Sequence, residues 1–236
     1  KEKVMTTSGT ATFNLDINEL CEEAYERAGL EMRSGYDLAT ARRSINLMGL
    51  EWANRGLNLW LVEEGSVTLE TGTATYTLPA DTIDLLEHVL RTNSGSSNQT
   101  DTALIRMSVS TFSQITNKRT SGKPTQIYID RQRDAPTITL WPIPSSTHNG
   151  DFVRYFRLRR IQDTGSKGSN TTDIPARFLP CMVAGLAYYI AMKRPEAASR
   201  VPTLKAIYEE QFDLAAEEDR EKATLTFTPL SDYYSL

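Results

Sequence analysis

The stretch Phe178 to Met192 constrains the fold more than any other part of this chain. Its 15 residues carry no charged side chain. At 3.6 residues per turn, Phe178, Leu179, Met182, Val183, Leu186, Tyr189 and Ile190 cover most of the circumference. A helix apolar on nearly all sides has to be surrounded. It is shorter than the roughly 20 apolar residues of a bilayer span, and Pro180 and Gly185 interrupt it. The expectation is a central buried helix and no membrane partner. Asp173 is expected to cap it, with Pro175 in the first turn and Lys193, Arg194 and Pro195 at its end.

Three further helices are available to cover it. Asp16 reads as a cap before Ile17, Leu20, Cys21, Ala24, Tyr25 and Ala28, which recur at helical spacing until Gly29. Asp37 is expected to open a longer helix reaching about Leu61, with Leu38, Ala41, Ile45, Met48, Trp52 and Leu59 on one stripe and Gly56 weakening its end. The last helix is expected over 199–223, with Leu204, Ile207, Tyr208, Phe212 and Ala215 facing inward. Its charged second half, 217–222, should project into solvent.

Between the helix pairs the hydrophobic period changes to two. Residues 66–70 and 74–78 alternate around Gly72, which signals a hairpin. Strands are expected over 83–91, 103–107, 126–130, 137–141 and 151–161, and a short helix over 110–117 with Phe112 and Ile115 inward. The polar run 92–102 reads as an exposed tip. The fold class is therefore α+β. A four-helix bundle, 15–63 and 173–224, carries an inserted β-rich domain, 64–172, of sandwich or barrel type. Residues 1–14 and 225–236 are read as terminal arms.

The chain holds 236 residues, with 26 Lys and Arg against 30 Asp and Glu, a net charge of −4. An acidic chain is a poor generic binder of nucleic acid, whose affinity rests on phosphate neutralisation. Cys21 and Cys181 both fall in apolar patterns and read as buried thiols. His88 and His148 are the only histidines, and no cluster has metal-ligand spacing. No nucleophile elbow, P-loop, HExxH, CxxC or GxGxxG is present. The sequence thus calls for no cofactor, metal or catalytic residue. The pairs Glu22-Glu23 and Glu209-Glu210 read as solvated helix faces.

Two features invite a contact function. Arg154, Arg157, Arg159 and Arg160 interleave with Tyr155, Phe156 and Leu158. Basic residues among aromatics suit an intersubunit or nucleic-acid contact, and arginines covering an exposed strand edge are the plain alternative. The terminal segment carries Phe227, Leu230, Tyr233 and Tyr234, which read either as part of a disordered tail or as anchors for an arm that orders on another chain.

Several segments stand in a recognisable order: DINELCEEAYERAGL, EWANRGLNLWLVEE, YTLPADTIDLLE, SVSTFSQITNKRTSGKPTQIYID, APTITLWPIP and DIPARFLPCMVAGLAYYIAMKRPE. Over about 15–225 the chain resembles the head-to-tail adaptor proteins of short-tailed bacteriophages, the tail tubular protein A-like or head-completion proteins. The resemblance implies a structural virion protein made in the host cytoplasm. It implies a ring, a dodecamer, below the portal protein, with neighbouring copies side by side around a channel for double-stranded DNA. The C-terminal helix and arm, with Glu217, Arg220, Phe227, Leu230, Tyr233 and Tyr234, would reach the portal, and the β domain the tail nozzle protein. Two other readings differ in class. One is a nucleic-acid-binding module using Arg154 to Arg160. The other is a tail-associated cell-wall hydrolase needing a carboxylate pair drawn from Glu87, Asp130 or Asp151.

Overall fold

The computed structural model describes Gly9, Phe13 and residues 15–220. Helix α1 (Ile17–Ala28) starts as expected. Asp16 accepts the Glu19 N–H at 2.9 Å, and Glu19 accepts the Asp16 N–H at 3.1 Å, a reciprocal capping box. Gly29 ends it at a φ of 73°, where a side chain would be strained.

Helix α2 (Gly35–Asn54) differs from expectation at both ends. Its cap is Ser34, whose hydroxyl accepts the Asp37 N–H at 3.3 Å, so Asp37 lies in the first turn. It stops at Asn54 and not near Leu61, because Gly56 adopts a φ of 88°. Residues Leu59–Leu61 return as a single 3-10 turn in which Leu59 is exposed.

The β region runs β1 (Val62–Thr68), β2 (Thr75–Thr77), β3 (Thr82–Thr92), β4 (Thr100–Ala103), β5 (Ile105–Met107), helix α3 (Val109–Gln114), β6 (Ser121–Gly122), β7 (Gln126–Asp130), β8 (Thr137–Trp141), β9 (Ile143–Pro144) and β10 (Phe152–Arg159). One four-stranded sheet has the order β1-β10-β3-β4, a second β2-β8-β7-β5, and β6 and β9 form a short pair. The expected hairpin around Gly72 does not form. β1 pairs with β10 from Val62↔Leu158 to Thr68↔Phe152, and β2 pairs with β8. The Gly72 N–H instead donates to the Pro144 carbonyl at 3.0 Å, so the turn carries the chain from one sheet to the other. The strand expected over 103–107 is also divided. Leu104 separates β4 from β5, which lie in different sheets. Phe112 is half-buried and stacks on Tyr128 with ring centroids 4.7 Å apart.

Helices α4 (Leu179–Ala191) and α5 (Val201–Glu218) are the last helices of the described residues. Asp173 does not cap α4. A 3-10 turn, Ala176–Phe178, precedes that helix, and Asp173 is bound to Arg159. Ile207 is on the exposed side of α5. Two cores result. The first draws Ile17, Leu20, Trp52, Phe178, Met182, Leu186, Tyr208 and Phe212 from α1, α2, α4, α5 and the turn before α4. α4 lies at its centre, packed on α1, α2 and α5. The approach is close at Gly185, where an added Cβ would stand 2.5 Å from Met48 Sδ and 2.7 Å from Tyr208 Cε2. The second core draws on strands of both four-stranded sheets and holds Leu85, Leu90, Ile127, Ile138, Leu140, Val153 and Tyr155.

Candidate functional site

The chain crosses between the helical and the β-rich parts twice, and ion pairs fasten the crossing. Arg157 and Arg159 alternate with Val153 and Tyr155 on one side of β10, past the end of the β core. Arg159 donates to Asp173 through two nitrogens, at 2.5 and 3.0 Å, and to Glu63 at 2.6 Å. Arg157 donates to the other oxygen of Glu63 at 2.7 Å, to Asp81 at 2.5 Å and to the Thr82 hydroxyl at 3.0 Å. Glu63 is on β1, Asp81 precedes β3, and Asp173 leads into α4. Two guanidinium groups thus tie four separate segments. Planar guanidinium forks suit this bidentate geometry.

The electrostatics follow from the contacts. The Arg157 bond holds the Asp81 carboxyl below its usual range against the cost of its partial burial. Burial also raises the pKa of Asp173, but the bonds from Arg159 and the Gln162 N–H outweigh it and leave the carboxyl lowered.

Two more contacts fix the helices. Glu51 accepts the hydroxyls of Tyr189 at 2.6 Å and Tyr208 at 3.3 Å, while Tyr208 accepts the Trp52 indole N–H at 2.9 Å. Burial and the Glu51 carboxylate push Tyr189 up to about 12. Asp219, just past α5, is buried. Its carboxylate accepts the N–H groups of Asn58 and Leu59. It therefore does not share the solvent-facing placement expected for 217–222, whereas Glu217 and Arg220 are exposed.

The arginine strand is not an edge, since β10 lies between β1 and β3. Its four arginines also do not form one patch. Arg157 and Arg159 are buried in the junction, Arg154 pairs with Glu64, and the Arg160 guanidinium reaches the Arg133 carbonyl. Their carboxylate partners were not legible locally, because Asp81 and Glu63 lie 76 and 94 residues from Arg157. Phe227, Leu230, Tyr233 and Tyr234 lie outside the described residues. Glu87, Asp130 and Asp151 share no hydrogen bond or ion pair with one another among the described residues. Asp151 contacts His148 Nδ1 at 2.8 Å, and Asp130 accepts from Gln132 at 3.1 Å. Among the described residues no group of His, Cys, Asp and Glu is placed to hold a metal, and no helix is long and apolar enough to cross a membrane. The tip at 93–99 is exposed throughout.

Residues 17–231 match the family described as SU10 adaptor protein. No curated protein matches the chain. The match begins with α1, continues through both cores and extends past α5, so it describes the whole architecture and not one part of it. On that span the chain belongs to the SU10 adaptor protein family, and it is a bacteriophage structural adaptor of the virion.

Proposed function

We propose that this adaptor joins the portal vertex to the tail of a short-tailed phage, in the manner of tail tubular protein A-like proteins. It does so as a ring of copies, a dodecamer, around the DNA channel. The observation that carries the reading is the adaptor family match over 17–231. In this reading the helices form a four-helix bundle and the two facing sheets an inserted sandwich. The C-terminal helix, with Glu217 and Arg220 exposed, and the arm with Phe227, Leu230, Tyr233 and Tyr234 dock on the portal. The β-rich part, with its exposed tip at 93–99, meets the nozzle. The work is structural, without catalytic turnover.

Two physical features support it. A net charge of −4 disfavours persistent adhesion to DNA passing through a channel. The ion pairs of Arg157 and Arg159 couple the two cores, which suits a part that transmits a fixed geometry from one neighbour to the next.

The test is electron microscopy of the purified chain mixed with the portal protein of its own phage. A ring stacked on the portal, lost when 225–236 is deleted, is the expected result. A chain that joins no portal at any salt or protein concentration overturns the reading.

A further inference from the structure

Two faces of the helical part lack partners among the described residues, and they are complementary. The first is a groove of about 570 Å³ between α1 and α4. Its floor is apolar, with Leu15, Leu179, Pro180 and Val183, and its rim is acidic. Glu19 is engaged in the α1 cap and Glu23 pairs with Arg27 at 2.8 Å. Glu22 and Glu26 have no cation among the described residues. They stand one turn apart on the same helix, where like charges repel.

The second face is the outer side of α2. Tyr36, Arg43, Leu47 and Leu50 recur at i, i+7, i+11 and i+14 and form one stripe. Tyr36, Leu47 and Leu50 are 69%, 57% and 56% exposed. Arg43 donates to the Thr40 hydroxyl at 3.2 Å, and Lys193, from the end of α4, donates to Ser44 at 2.5 Å. Neither cation has a carboxylate partner among the described residues.

We propose that the outer face of α2 in one copy seats in the α1–α4 groove of the next, with Leu47 and Leu50 on its floor and Arg43 and Lys193 against Glu22 and Glu26. This rests on the ring reading and names the surface that builds it. The lengths agree, since Arg43 to Leu50 and Glu19 to Glu26 each rise about 10 Å along their helices. The two faces are also separate. α4 turns Leu179 and Val183 to the groove and Gly185 and Tyr189 to α2, sides roughly 120° apart at 3.6 residues per turn. Different patches in contact make a heterologous interface, which propagates from copy to copy and closes into a ring when the rotation allows.

The experiment uses phage particles whose adaptor carries Glu22→Cys and Arg43→Cys in one chain. The native thiols of Cys21 and Cys181 do not interfere, because burial holds both at a pKa of about 12. Mild oxidation is expected to give a ladder of covalent adaptor multimers. Particles built from the two single variants mixed should give no covalent species larger than a dimer. Adaptor present in particles but uncrosslinked, or crosslinked to a different particle protein, overturns the inference. Absence of the parent chain from purified particles overturns the adaptor reading itself, and the inference with it. In a second measurement, Arg43→Glu should lower infectious yield about tenfold or more by setting like charges together. Adding Glu22→Lys alone to the same chain should restore it, since Glu26 still faces Lys193. Failure of that restoration also overturns the inference.

Discussion

The Asp219 carboxylate, just beyond the last turn of α5, accepts the backbone N–H of Leu59 at 3.0 Å and that of Asn58 at 2.8 Å. It acts on the 3-10 turn Leu59–Leu61 as an N-terminal cap supplied from 160 residues away. The end of the C-terminal helix is thereby tied to the point where the chain leaves the helices for β1.

Replacing Asp219 with Ala removes that cap and leaves two N–H groups without their acceptor. Loss of a cap costs about 1–2 kcal/mol. A domain of this size then melts about 2–8 °C lower. Differential scanning calorimetry of the variant checks this, and an unchanged Tm would show that Asp219 bears no load.

Arg159 is nearly buried and holds two carboxylates. Arg159→Ala leaves Glu63 and Asp173 without it, and breaking such a pair costs about 3–5 kcal/mol. Arg154→Ala, which removes a half-exposed partner of Glu64, should cost about 1 kcal/mol or less. Urea titration of the two variants separates them.

The lowered carboxyls of Asp81 and Asp173 set the direction of the acid response. A group whose pKa falls on folding stabilises the fold above its unfolded value, near pH 4. That stabilisation is lost as pH drops through the folded value. Tm should therefore fall below about pH 4, and Asp173→Asn should flatten that limb while lowering Tm at neutral pH. A variant with the same pH slope as the parent would remove Asp173 from this role.

Gly185 sits where α4 meets Met48 and Tyr208. Gly185→Ala should cost about 1–3 kcal/mol through overpacking, although alanine is the better helix former. Pairing it with Met48→Ala should recover part of that loss, read as a positive coupling in a double-mutant cycle.

Much of the helical part was legible because its signals are local. The Asp16 cap, the stop at Gly29 and the apolar surround of 178–190 each lie within a few turns of chain. Strands with strong alternation, such as β7 and β8, were legible for the same reason. Where a signal depended on a distant partner, sequence reading failed. Asp173 is as good a cap residue as Ser34, but Arg159 competes for it. The two arms around Gly72 alternate like a hairpin, and alternation alone does not say which strand each will pair with.

The arginines of β10 mark the same boundary. The sequence by itself determined that β10 is a strand rich in guanidinium groups and that α4 must be enclosed. Only the tertiary structure decided that β10 is central, and that Arg157 and Arg159 face Glu63, Asp81 and Asp173. The reason is physical. Hydrophobic period and capping arise from neighbours along the chain, whereas the choice among equally charged partners is made by which pair is desolvated together when the two cores close.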